Sequence, residues 1–252
     1  MLKTAGLDTH AANLYNPCLI ARDVWFSYDG HTHILKGINL MVERGIMTMI
    51  LGRSGSGKTT LLRLLKGLLH PQKGSVEVRF SAAGRIPDRI IAYVPQHLGL
   101  VRNLTAVENV LIGCLSSIGT IRSILRAFPK TAIEEAQEIL RELGLSHKMD
   151  EPVSALSGGQ RQRVAIARAL MLKPEMILAD EFVSQLDPVT TREMFVIMHR
   201  FTKRGVGFLM TTHETDLVAD YADRIVIMKE GVITYEGQQG GLSEPEMIEL
   251  LG

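Results

Sequence analysis

The stretch that most constrains this chain is GRSGSGKT, Gly52 to Thr59. It fits the pattern G-x-x-x-x-G-K-[ST] and sits in the context that pattern needs. Before it runs GIMTMIL, 45–51, continuous and apolar, the pattern of a buried parallel strand. After it runs KTTLLRLLKGLL, 58–69, a helix punctuated by Gly67 and then Pro71. Strand, glycine loop and helix in that order build a phosphate cradle. Loop N–H groups turn inward onto phosphate oxygens, and the helix N-terminus adds positive potential. In that cradle Lys58 reaches β- and γ-phosphates and Thr59 offers its hydroxyl to Mg²⁺.

The rest of the chain reads as an α/β core around this loop. Residues 1–17 are a polar tail, and 18–252 form one domain. CLIARDVWFSYDG and HILKGINLMV read as strands joined through a turn at Asp29–Gly30. RIIAYVPQ, 89–96, is another strand. From about 97 to 163 the pattern turns helical, an insertion in the core. Its clearest helix is TAIEEAQEILRELGL, with Thr131 and Glu134 as a capping box, Ile133, Ala136, Leu140 and Leu143 on one face, and Gly144 as the stop. Alternation then resumes: helix 158–172, strand MILAD, helix 188–203, strand GFLMTTH, helix 214–222 and strand RIVIMKEG.

Composition narrows the partners. In 252 residues the formal net charge is +1, so nothing in the charge balance suggests a polyanion, and no nucleic-acid partner is expected. Cys18 and Cys114 lack metal-ligand spacing and read as reduced thiols. The first residues lack the apolar run of a secretory signal. No apolar run approaches the ~20 residues that cross a bilayer, so work at a membrane requires a spanning partner.

Three further stretches carry chemistry. MILADEF ends a buried strand with Asp180 and Glu181, and parallel strands present ligands at their carboxyl ends. Asp180 is placed to hold Mg²⁺. A second carboxylate beside it, not needed for the metal, suits a general base that polarises the attacking water. Gln96 and His213 end two other strands on the same predicted edge: Gln96 to ligate Mg²⁺ or position the water, His213 to contact the γ-phosphate and the base. The last stretch is LSGGQRQRV. Ser157 and Gln160 make a capping box, which needs no glycine at the two positions between them. Gly158 and Gly159 therefore point to close backbone approach, and a helix start with bare N–H groups suits an anion. Lys58 and Ser157 stand on opposite sides of the helical insertion, so a two-fold partner is the simplest way to bring them together.

GRSGSGKT, Gln96, LSGGQ, ILADE, SQLD and His213 stand in the order found in the ATP-binding-cassette (ABC) ATPases, which this chain resembles from about residue 18 to 238. The resemblance implies a P-loop NTPase fold: a RecA-like core with an antiparallel β subdomain (together 18–96 and 164–252) and an inserted α-helical subdomain (about 97–163). It implies a homodimer around two Mg-ATP. Gly52, Ser54, Gly55, Gly57, Lys58, Thr59 and Thr60 serve phosphate and Mg²⁺, Tyr28 stacks on adenine, and Asp180 and Gln96 serve the metal. Glu181 is then the catalytic base and His213 the γ-phosphate contact. Ser157, Gly158, Gly159 and Gln160 act on the other chain's nucleotide, and Asp187 links the two sites. The family usually has proline where Phe182 stands and alanine or asparagine where Gln185 stands, so the 181–187 turn departs from its pattern.

The segment LVRNLTAVENVLIGCL followed by TIRSILRAFPKTAIEEA resembles the ATPase subunits of phosphonate importers, a group that also serves phosphite and hypophosphite. That implies permease subunits, a periplasmic or surface solute-binding protein, and a place on the cytoplasmic face of the inner membrane. Importers of amino acids or metals, and soluble cassette ATPases acting on DNA or ribosomes, are the competing readings.

Overall fold

The computed structural model describes residues 17–79, 90–115, 128–184 and 186–252. The tail before residue 17, residues 80–89, residues 116–127 (which take in TIRSILRA) and Gln185 lie outside the described residues.

Two sheets divide the work. β1 (Pro17–Ser27), β2 (His33–Glu43) and β4 (Lys73–Val78) form a three-stranded sheet in the order β2-β1-β4, with both pairs antiparallel. The predicted turn between β1 and β2 is present. Asp29 accepts from the Ser27 hydroxyl and from the His31 and Thr32 N–H groups, bonds that hold its carboxyl well below the usual carboxylate range. Gly30 takes φ 78°, which a side chain would resist.

The second sheet contains β3 (Met47–Leu51), β5 (Ile91–Val94), β6 (Met176–Ala179), β7 (Gly207–Thr212), β8 (Arg224–Lys229) and β9 (Val232–Gln238). Its order is β5-β6-β7-β3-β8-β9, parallel except for the last pair. Every residue of β3, β6 and β7 is buried, as expected of mostly apolar strands covered on both faces. β9 instead alternates between exposed and half-buried positions, the pattern of an antiparallel edge strand. That alternation and the short β4 went unread in the sequence. So did the C-terminal helix, here α7 (Glu244–Leu251), which seats a buried Met247.

Helices complete the layers. α1 (Lys58–Lys66) ends where Gly67 enters the left-handed region at φ 80°. It packs with β1 and β2 around Leu35, Ile38, Leu61 and Leu65. On the other face lie α2 (Ala106–Ile112), α3 (Lys130–Glu142), α4 (Gly158–Leu170) and α5 (Pro188–Thr202), around Leu140, Val164, Phe182 and Phe195. α6 (Thr215–Tyr221) follows β7. This is the P-loop NTPase fold expected from the sequence, with an antiparallel sheet and helices laid against the parallel core.

One local expectation fails. Thr131 and Glu134 form no capping box. Pro129, with φ −58° and ψ 145°, sits at the N-cap and starts the helix at Lys130, so Thr131 is already inside the first turn. Glu134 pairs instead with Lys130, four residues earlier, at 3.6 Å. A real box of this kind caps α2, where Thr105 and Glu108 exchange bonds.

Candidate functional site

The phosphate loop joins β3 to α1 in the predicted place. Gly57, at φ 101°, caps α1 without any side-chain bond, so the first N–H groups of the helix are left to face the loop. A Cβ on Gly57 would stand 2.8 Å from Leu35, and one on Gly52 would stand 2.6 Å from both the Met228 carbonyl and the Ser56 hydroxyl. Both glycines are needed for room. Gly55, at φ 83°, has no neighbour within 4 Å and is needed for its conformation. Lys58 is buried, and its ammonium donates to the Gly52 and Arg53 carbonyls at 2.6 and 3.1 Å. Burial pulls its pKa down, and the carboxylates of Glu181 and Asp180 pull the other way.

The strand order explains what meets Lys58. β6 carries the acids at its carboxyl end, and β7 lies between β6 and β3. Asp180 is buried, and its Oδ1 accepts from the Thr59 hydroxyl at 3.1 Å and the Thr211 hydroxyl at 2.7 Å. Glu181 sits in the left-handed region at φ 42°, a costly conformation for a residue with a side chain. Its Oε1 lies 3.7 Å from Lys58 Nζ and 3.7 Å from His213 Nδ1. Its Oε2 accepts from Gln96 Nε2 at 2.9 Å. Five residues expected from the sequence, Gln96, Lys58, Asp180, Glu181 and His213, thus converge on one edge.

The turn after Glu181 departs from proline, and Phe182 replaces stiffness with burial. The ring is 1% exposed within the main core. A buried phenylalanine of this kind is worth about 1.5–3 kcal/mol. Ser184 closes the turn by donating its hydroxyl to the Glu181 carbonyl at 2.6 Å.

Tyr28 is 59% exposed, edge-on to Phe26 with ring centres 4.9 Å apart, and its hydroxyl lies 3.3 Å from that of Thr60. An exposed ring beside the loop can stack on a base. Arg63 joins it from α1: hydrogen bonds to the Tyr28 and Tyr93 hydroxyls hold the guanidinium pKa up. Burial, followed by the nearby Asp180 charge, pushes the Tyr93 phenol up.

The LSGGQ stretch is built as a helix start. Ser157 N–H donates to Gln160 Oε1 at 2.9 Å, and Gln160 N–H donates to Ser157 Oγ at 3.3 Å, the expected box. The two glycines differ. A Cβ on Gly159 would stand 2.5 Å from Thr190 Cγ2, so that glycine serves packing of α4 on α5 within the chain. A Cβ on Gly158 would meet nothing nearer than Leu186 at 4.0 Å, and Gly158 is exposed. Gly159 thus has a packing reason within the chain, and Gly158 is the glycine whose open side the chain itself leaves unexplained. Gly158 also lines a cleft of about 360 Å³ that reaches Gln96 and Glu181. Asp187 caps α5, accepting from Val189 and Thr190 N–H at 3.1 and 3.0 Å.

Sequence reasoning missed two polar side chains. Thr211, fully buried, joins Asp180 to Glu181: besides donating to Asp180, its oxygen accepts from Glu181 N–H at 2.9 Å. Gln162, on α4, donates to the Phe182 carbonyl at 2.6 Å and so ties the LSGGQ helix to the acidic turn. The sequence signal in both cases was a polar residue at a position whose period demanded an apolar one.

The residues fit Mg²⁺. Thr59 and Asp180 supply hard oxygen donors at the cradle's mouth, and Mg²⁺ takes few protein ligands beside nucleotide phosphates. Among the described residues no group of three or more His, Cys, Asp or Glu could hold a metal.

Loop, acids and sheet together define a P-loop nucleotide-binding cassette. Residues 35–184 match the family described as ABC transporter. A phosphonates import ATP-binding protein PhnC from Hyphomonas neptunium is 40% identical over 221 residues, 85% of each chain. The protein of that name from Bdellovibrio bacteriovorus is 36% identical over 237 residues, 90% of this chain and 91% of its own. A nucleotide-free ATP-binding cassette from an ABC transporter superposes with TM-score 0.78 at 28% identity, covering 94% of this chain and 95% of its own. A dimeric, post-hydrolysis cassette, MJ0796 bound to ADP and Pi, gives 0.72 at 28% identity, covering 89% and 100%. The chain belongs to the ABC transporter family, as its ATP-binding cassette.

Proposed function

We propose that this chain is the ATP-hydrolysing subunit of an importer for a phosphonate or a related reduced phosphorus oxyanion. One observation carries the hydrolytic half: Glu181 stands at the sheet edge with Lys58 and His213 each 3.7 Å from one oxygen and Gln96 2.9 Å from the other. The names of the relatives and the resemblance at 97–150 support the solute class.

Phosphoryl transfer of this kind needs mainly positioning and charge stabilisation. The Gly52, Ser54, Gly55 and Gly57 loop wraps the phosphates, Lys58 neutralises β- and γ-oxygens, and Thr60 adds a hydroxyl. Bound Mg²⁺, held by Thr59, Asp180 and Gln96, supplies further charge neutralisation. Glu181 takes the proton of the attacking water and His213 holds the γ-phosphate. Tyr28 stacks on the base. A second copy supplies Ser157, Gly158, Gly159 and Gln160, and Asp187 connects the paired sites. The domain stays 18–252, after a polar tail at 1–17. Its helical part, about 97–163, faces two permease subunits at the cytoplasmic side of the inner membrane, with a solute-binding protein outside.

Glu181→Gln tests this. The variant is expected to bind ATP and dimerise, with turnover reduced by a factor of about 10² to 10⁴. Wild-type turnover overturns Glu181 as base. In cells lacking the gene, the wild-type chain is expected to restore methylphosphonate uptake. Restoration of amino-acid or metal uptake instead overturns the solute class.

A further inference from the structure

We infer that Thr211 is a positioning residue for hydrolysis: its one hydroxyl fixes the metal-side carboxylate and the catalytic-base backbone in a single frame. This rests on the reading of Asp180 and Glu181 given above.

The topology makes the placement possible. β7 lies between the acid strand β6 and the phosphate-loop strand β3. In the β6–β7 register Ala179 stands opposite Met210, so the next residues, Asp180 and Thr211, run side by side. In the β3–β7 register Thr211 stands opposite Ile50, two residues before the loop. A hydroxyl at this position reaches the Asp180 carboxylate and the Glu181 amide from the neighbouring strand.

The bonds assign the proton. Asp180 Oδ1 is an acceptor and Glu181 N–H is a donor, so the Thr211 proton lies on the 2.7 Å bond to Asp180, and its lone pair takes the 2.9 Å bond from Glu181. A hydroxyl does both at once, and a valine of similar shape does neither. Oδ1 also accepts from Thr59, so the carboxylate is gripped by two hydroxyls and its rotation is restricted. The Glu181 bond acts on the costly residue. Left-handed backbone at a side-chain-bearing position persists only when its surroundings over-determine it. Thr211 holds the amide side of Glu181 and Ser184 holds its carbonyl side. Thr211 is fully buried, so its hydroxyl has no exchange with bulk water, and removing it forfeits the hydrogen bond from the Glu181 amide.

The test reads metal binding apart from turnover. In the Glu181→Gln background, Mn²⁺ binding with ATP is titrated by electron paramagnetic resonance for Thr211, Thr211→Val and Thr211→Ser. Valine is expected to weaken Mn²⁺ binding by about tenfold or more, the usual cost of losing an outer partner of a metal ligand, with serine close to threonine. In the Glu181 background, valine is expected to lower kcat with little change in KM for ATP, and serine to restore kcat. A merely structural role lowers the melting temperature and leaves Mn²⁺ affinity and kcat alone. If valine fails to fold, Thr211→Cys, whose thiol is a weak donor, takes its place. Unchanged Mn²⁺ affinity and kcat in the valine or cysteine variant overturns the inference, as does serine behaving like valine. Because the Mn²⁺ titration needs no hydrolysis, it stands even if Glu181 proves not to be the base.

Discussion

Two helices of this protein begin at glycine-rich turns, and they begin differently. α1 starts from Gly57 in the left-handed region with no side-chain cap, so its first N–H groups stay available, and its Lys58 and Thr59 side chains meet Glu181 and Asp180 of the same chain. α4 starts from Ser157 and caps itself with Gln160. Its outward positions, Ser157 and Gly158, are exposed. The first is a phosphate cradle assembled from elements of one chain. The second is a stable helix start that presents a bare face. Self-capping shows that the second glycine pair is not there to make the helix possible. What remains to explain is the exposed side of Gly158.

The largest effect that separates the two regions is expected at Lys58. Lys58→Met should abolish detectable ATP binding by the monomer, because the buried ammonium is the cradle's principal charge. It should also raise the melting temperature of the nucleotide-free protein. Burial depresses the Lys58 pKa, so the cost of the charged form is fully present at pH values below the folded pKa and fades only as pH rises through it. Calorimetry with and without ATP reads both. A nucleotide-free variant less stable than wild type at neutral pH breaks the assignment.

A middle-sized effect is expected within LSGGQ itself. Gly159→Ala drives a methyl to 2.5 Å from Thr190 and should destabilise the chain by about 1–3 kcal/mol, the usual cost of overpacking. Gly158→Ala has room, and in a helix it should leave stability equal or raise it by about 0.5–1 kcal/mol. Urea denaturation of the two variants compares them directly. Equal losses erase the distinction between the two glycines.

The smallest effect is expected at Asp187. The Thr190 hydrogen bonds, with those from the Val189 side of the turn, hold its carboxyl below the usual range. That stabilisation is present above the unfolded carboxylate value of about 3.9 and is lost as pH falls through the folded one. Asparagine also caps helices well. Asp187→Asn should therefore match wild type at neutral pH and lose less stability than wild type in acid, as read from urea midpoints across pH. Parallel curves rule out a charged cap.

The phosphate-loop edge was legible in the sequence because its signals are local: a loop pattern between an apolar strand and a helix, and polar residues at strand ends. The strand order was not in that signal, so Thr211, one residue inside a buried strand, passed as part of the run GFLMTTH. Gln162 hid the same way inside a helix. The Thr131–Glu134 box failed because the helix already begins at Lys130, after extended Pro129, so Thr131 falls inside the first turn where it cannot cap. The packing of Gly159 on Thr190 was not legible because Thr190 is distant in sequence. The role of Phe182 became visible only when its burial did.

The measurement that bears most directly on the exposed face of α4 is mass by light scattering, with and without ATP, for Glu181→Gln and for Glu181→Gln carrying Ser157→Arg. The expected result is an ATP-dependent dimer for the first variant, and for the second a monomer that still binds ATP. Dimer formation by the second variant, or loss of nucleotide binding by its monomer, contradicts a site shared between two chains.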